Sequence, residues 1–136
     1  MKTNNLVLIA LFAAFALTAA SALPAAEQGY DDPVGLAKLI REGKPEHVLV
    51  DVRTPAEYEA GHIPTAINVP VDVIGSKPPA VQKDTLIVVY CRSGNRSATA
   101  RKILVDLGYT NVVDFGAVSK WTDALVLGSE PGAPPK

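Results

Sequence analysis

At 136 residues the chain has room for one domain, and its 48% hydrophobic and 20% charged residues exclude a disordered or fibrous protein. A formal net charge of −1 gives no electrostatic footprint for nucleic acid or for an anionic membrane surface. A single cysteine, Cys91, excludes an internal disulfide framework, a multi-cysteine zinc site and a Cys-x-x-Cys redox pair.

The N-terminus opens on a positive charge, Lys2, followed by an unbroken apolar run of 12 residues from Leu6 to Leu17 and the small-residue pattern Ala20-Ser21-Ala22. A helix of that length covers about 18 Å, well short of a hydrocarbon core of about 30 Å. Residues 1–22 are therefore expected to be a cleaved signal peptide rather than an anchor, with cleavage near Ala22. The mature chain is then periplasmic or secreted, with no stable membrane association after cleavage. Paired cysteines oxidise in such a compartment, and a solitary one has no internal partner to be trapped with.

Beyond this segment, short strand-like and helix-like stretches alternate. Asp32-Pro33 supplies an N-cap and a proline at the first helical position, Leu36, Leu39 and Ile40 form an apolar stripe, and Gly43 ends the helix. His47 to Val52 reads as a buried strand. Thr54-Pro-Ala-Glu57 is a capping box that starts a second helix, stopped by Gly61. Ala66 to Val69 is a short strand, and the Gly/Pro-rich stretch from Gly75 to Pro79 breaks any helix begun near Val71. Thr85 to Tyr90 is the strongest strand. A helix from Ser97 to Leu107 follows, with Ala100, Ile103, Leu104 and Leu107 on one face and Gly108 at its end. Asn111 to Asp114 is a further strand, and Gly116 introduces a helix with Val118, Trp121 and Leu125 on its core face. Residues 128–136, with three prolines, read as a flexible tail. The alternation predicts right-handed βαβ units: an α/β fold with a mostly parallel sheet covered by helices on both faces.

Cys91 falls directly after the strongest strand and just before a helix, where ligands bind in open α/β sheets. In the loop Cys91-Arg92-Ser93-Gly94-Asn95-Arg96-Ser97, the N–H groups at the helix start favour an anion, and Gly94 permits the backbone to turn them inward. From Thr85 to Val105 there are four basic residues and no acidic one. Such surroundings favour the thiolate, the attacking form, over a buried spectator thiol. Cysteine phosphatases use a Cys-x5-Arg loop. Here the spacing from Cys91 to Arg96 is Cys-x4-Arg, a tighter ring that suits one sulfur atom on Cys91 better than a tetrahedral phosphate.

These residues make the chain resemble a single-domain rhodanese, a sulfurtransferase family, of the exported bacterial type. The resemblance is carried by Leu49-Val-Asp-Val-Arg-Thr-Pro-Ala-Glu-Tyr58 with Gly61-His-Ile-Pro64, by the Cys91–Ser97 loop, and by Gly108-Tyr109 with Gly116 and Trp121. It implies a rhodanese-like domain over about residues 30–127. Two positions depart from the family habit, Thr65 and Ala117, where glycine is common.

The resemblance implies a two-step reaction in which Cys91 takes the outer sulfur of thiosulfate or a similar small anionic donor. A thiophilic acceptor, cyanide or a thiol, then removes the sulfur from the Cys91 persulfide. Arg92, Ser93, Gly94, Asn95, Arg96 and Ser97 would cradle the persulfide, with Arg92 and Arg96 attracting the donor. It also implies that Asp51 and Arg53 support the architecture beside the loop. No metal or organic cofactor is needed, and a monomer is expected. His62 is expected to be a hydrogen-bonded structural residue and Trp121 a core residue. The alternatives are a non-enzymatic persulfide carrier that serves a partner protein and, more distantly, a cysteine phosphatase or arsenate reductase.

Overall fold

A computed structural model describes residues 28–136; the segment read as a signal peptide lies outside them. Helix α1 spans Pro33–Glu42, and the Asp32 carboxylate accepts the N–H groups of Val34 and Gly35, so two orphan donors of the first turn are satisfied by one side chain. Strand β1 (His47–Asp51) leads into the short helix α2 (Pro55–Glu59), where Thr54 and Glu57 form the reciprocal capping box. Strand β2 is Ile67–Asn68, β3 is Leu86–Cys91, helix α3 is Asn95–Asp106, and β4 is Val112–Ala117. Between β2 and β3 the chain runs through turns with no helix near Val71, because Pro70, Pro78 and Pro79 bracket the segment.

The four strands form one parallel sheet in the order β2-β1-β3-β4. β3 is central, and every one of its residues is buried. Its side chains alternate between two apolar clusters. Leu86, Val88 and Tyr90 pack with α1 residues Leu36, Leu39 and Ile40, whereas Ile87, Val89 and Cys91 face Ala100 and Leu104 of α3. This two-sided burial is why β3 reads as a continuous apolar run rather than an alternating one. Because the strands are parallel, the carboxyl ends of β1 and β3 share one edge, which brings Asp51 beside Tyr90 and Cys91.

Three expectations are corrected. The last strand is longer than Asn111 to Asp114, because a bulge between Val89 and Tyr90 shifts the register and keeps Gly116 and Ala117 in β4, opposite Tyr90 and Cys91. Gly116 therefore does not open a helix. It sits at φ +89°, with its N–H donated to the Asp114 carboxylate. The helix expected through Leu125 is a single 3-10 turn, Val118–Lys120; Trp121 is buried all the same, while Leu125 is exposed.

The third correction concerns the C-terminal tail, which is tied down as far as Pro131. Val126 and His62 exchange backbone hydrogen bonds, the Gly128 N–H is donated to the Glu59 carbonyl, and the Thr65 N–H to that of Pro131. A proline still offers its carbonyl, and that of Pro131 meets a donor of the α2–β2 connection.

Thr65 shows what the departure from glycine costs. It is held at φ +71°, a region unfavourable to a β-branched side chain, and its Oγ1 is buried without a hydrogen-bond partner among the described residues. Thr65→Gly removes both penalties and adds back only the unfolded-state entropy of glycine. The expected outcome is a gain of about 1 kcal/mol, measured as a higher urea midpoint at unchanged slope.

Candidate active site

Cys91 is the last residue of β3, paired with Ala117, rather than the first residue beyond the strand. α3 begins two residues earlier than its apolar pattern indicates, at Asn95, with Gly94 as its N-cap at φ +100°. That left-handed turn is open to glycine at little cost, and it folds the chain back so that the Gly94 N–H is donated to Cys91 Sγ at 3.0 Å. Sγ also lies 3.5 Å from Ser97 Oγ, and the Ser97 hydroxyl donates to the Gly94 carbonyl at 3.0 Å. Ser97 thus accepts from the thiol in the neutral state. Its hydroxyl can rotate to donate to the thiolate once the proton leaves.

Cys91 is fully buried, beneath a loop whose Arg92, Ser93 and Asn95 are exposed. Burial pushes the thiol up, but the Ser97 hydroxyl and the N–H groups of Ser97, Gly94 and Ser93 outweigh it and hold it below the ordinary value of 9.0. Burial is the largest single influence, and the hydrogen bonds that together overcome it are headed by the Ser97 hydroxyl. From the sequence, that part is expected of the N–H groups at the helix start, turned inward at Gly94, with the arginines adding positive charge. Ser97 is there one residue of the loop, not distinguished from its neighbours.

Arg96 departs from the expectation of an open positive charge. Its guanidinium is engaged by Glu57 in a bidentate pair, Nη1 to Oε2 at 2.8 Å and Nη2 to Oε1 at 2.9 Å. Arg92 makes no ion pair among the described residues. Glu57 is the residue that sequence reasoning missed as part of the site. Its place in the capping box was legible, but its second partner lies 39 positions away.

Arg96 draws the Glu57 carboxyl down to about 2, with burial opposing and Thr54 adding to the effect. A carboxyl lowered on folding contributes stability above its unfolded value, near 4.5, and loses that contribution as the pH falls towards 2. The stability advantage of the native chain over Glu57→Gln is thus expected to be full above pH 4.5 and to vanish towards pH 2, as followed by urea denaturation at a series of pH values.

Asp51 and Arg53 form a buried pair. Arg53 Nη2 lies 2.6 Å from Asp51 Oδ2, and Nε donates to both carboxylate oxygens at 3.0 Å. Arg53 Nη2 also donates to the Gly61 carbonyl at 2.7 Å, and its guanidinium lies over the Tyr90 ring. The pair thereby ties β1, the end of α2 and the residue preceding Cys91. His62 is fully buried, stacked on Tyr58, with its two ring nitrogens against the carbonyls of Tyr58 and Glu130. No group of three or more His, Cys, Asp or Glu among the described residues is placed to hold a metal ion.

Comparison with known proteins bears on this geometry. Residues 32–124 match the family model described as a rhodanese-like domain. A sulfurtransferase of Allochromatium vinosum is 41% identical over 75 residues, which cover 54% of this chain and 70% of that protein. The adenylyltransferase and sulfurtransferase UBA4 of Candida albicans is 40% identical over 91 residues, covering 60% of this chain but only 21% of that much longer protein. Among solved structures, a rhodanese with anions from E. coli superposes with a TM-score of 0.57 at 31% identity, covering 60% of this chain and 99% of that one. The human single-domain sulfurtransferase TSTD1 gives the same TM-score and identity, over 63% of this chain and 88% of its own.

Proposed function

The chain belongs to the rhodanese-like domain family, and on that premise we propose that it is a sulfurtransferase of the thiosulfate type working through a persulfide on Cys91. The observation that carries this reading is the seat around Sγ. The N–H of Gly94 and the hydroxyl of Ser97 converge on one sulfur atom that the same groups favour as thiolate. In the first step the thiolate attacks the outer sulfur of thiosulfate. A bond forms between Sγ and that sulfur, the sulfur–sulfur bond of the donor breaks, and its electron pair leaves on sulfite. In the second step cyanide or a thiol attacks the outer sulfur and returns Cys91 as thiolate.

The Gly94 N–H, fixed by the backbone and already aimed at the sulfur, stabilises the thiolate without reorganisation, and the Ser97 hydroxyl joins it by rotating about one bond. The exposed Arg92 draws the anionic donor to the mouth of the loop. With Cys91 as the one cysteine of the chain, nothing within the protein can resolve the persulfide, so the sulfur leaves to an outside acceptor.

Incubation of the protein with thiosulfate, followed by intact-mass measurement, tests the reading. A gain of one sulfur atom, removed again by cyanide as thiocyanate, is expected; an unchanged mass would overturn it. Persulfide formation with negligible release to cyanide but fast transfer to one protein would move the reading to a carrier.

The Leu6–Leu17 run and Ala20-Ser21-Ala22 support export as part of the same proposal. It is tested by the N-terminus of protein recovered from the periplasmic fraction or the medium, which is expected to begin after Ala22.

A further inference from the structure

We propose that Glu57 sets the charge class of the sulfur donor, by neutralising Arg96 at the mouth of the Cys91 loop so that doubly charged donors are disfavoured relative to singly charged ones. The proposal rests on the sulfurtransferase reading above and adds to it a residue that selects the donor. Arg96 stands in the first turn of α3, five positions after Cys91, close enough for the Cys91 charge to act on it. The Arg96 and Glu57 side chains are each about two-thirds buried, with 34% and 30% of their surface exposed.

Glu57 is not free to swing away. Its Oε2 also accepts the N–H and the hydroxyl of Thr54, at 2.9 and 3.0 Å, so the carboxylate is fixed by the cap of α2 before it meets Arg96. Two other pairs of charges nearby are matched in the same way. Asp51 and Arg53 neutralise one another, and Lys102 pairs with Asp106 farther along α3. Among the loop's own residues this leaves Arg92 as the cation without an ion pair, where the sequence shows two arginines. A loop with one uncompensated cation attracts a doubly charged donor less strongly than a loop with two.

Two donors that deliver sulfur by the same bond change isolate this effect. Thiosulfate carries two negative charges and releases sulfite. Methanethiosulfonate carries one and releases methanesulfinate. In each case Sγ bonds to the outer sulfur, the bond from that sulfur to the sulfonyl sulfur breaks, and the electron pair departs with the leaving group. Total charge is conserved and no oxidant or reductant is consumed.

The test is the ratio of kcat/KM for thiosulfate to that for methanethiosulfonate, with cyanide as acceptor, in the native chain and in Glu57→Gln, Arg96→Gln and the double variant. Glutamine keeps the capping box while removing the charge. The ratio is also independent of how much of each preparation is folded. Glu57→Gln is expected to raise it by about three- to tenfold, the scale for one charge at a partly solvated rim, and Arg96→Gln to lower it. The double variant, which removes both charges, should return close to the native ratio. A ratio unchanged within a factor of about two in Glu57→Gln would overturn the proposal while leaving the sulfurtransferase reading in place. A native chain that turns over neither donor would overturn both.

Discussion

Replacing Cys91 by serine is expected to abolish sulfur uptake while leaving the fold in place. The substitution changes one atom, at a site that is fully buried between β3 and the apolar face of α3. The slightly smaller hydroxyl can keep a bond to Ser97 and accept the Gly94 N–H, so the loop has no reason to rearrange. The chemistry is another matter. The native thiol is held below its ordinary value of 9.0 by hydrogen bonds that favour the thiolate, whereas a serine hydroxyl in the same cradle stays protonated. Loss of a nucleophile of this kind costs roughly 10⁴-fold or more in rate.

Two measurements check this result together. Intact mass after incubation with thiosulfate should show no added sulfur, and thiocyanate release should fall to the uncatalysed rate. A far-ultraviolet circular dichroism spectrum and urea midpoint close to native would assign the loss to chemistry. An added sulfur on the serine variant would remove Cys91 from its role as carrier.

What could be read in the sequence divides along a physical line between local signals and contacts across the chain. The start of α1 was legible because Asp32 and Pro33 solve the problem of unpaired N–H groups within three residues. The same holds for the Thr54–Glu57 box, and for β3, whose two-sided burial demands an apolar run. The loop was legible as a composition, arginines and a glycine after a strand. The allocation of its charge was not, because Glu57 reaches Arg96 from another helix.

The spacing of Val118, Trp121 and Leu125 fits a helix, yet the chain buries Trp121 by following a bulge in β4. Periodicity over so short a stretch cannot separate the two solutions. The tail failed for a different reason. Its anchors are backbone groups, the Gly128 N–H and the carbonyls of Glu130 and Pro131, and the backbone carries such groups whether or not they find a partner. His62 was legible as a structural residue, but its partner on the returning tail was not.

Breaking the Asp51–Arg53 pair is expected to have the largest effect on stability. Asp51 has no exposed surface and Arg53 retains 7%, so neither charge has water to fall back on. In Arg53→Met the aliphatic stem is kept. The carboxylate then loses the guanidinium and keeps its bond from the residue-53 N–H, and the Gly61 carbonyl loses its donor. Removing one partner of a buried pair costs about 3–5 kcal/mol, mostly the penalty of the charge left behind. That is a large part of a typical total of about 5–15 kcal/mol.

The loss should not stop at the pair, because Arg53 lies over Tyr90, whose hydroxyl accepts the Ile63 N–H and which directly precedes Cys91. The thiosulfate reaction of Arg53→Met is therefore expected to weaken at temperatures where the variant is still folded. Asp51→Asn should be similarly destabilised, with a buried guanidinium in place of a buried carboxylate. Combining the two substitutions removes both orphan charges, so the double variant should lose clearly less than the sum of the single losses. Urea denaturation of the four proteins measures this cycle. Strict additivity, or a loss below about 1 kcal/mol in Arg53→Met, would show that the pair does not hold the β1 end of the site together.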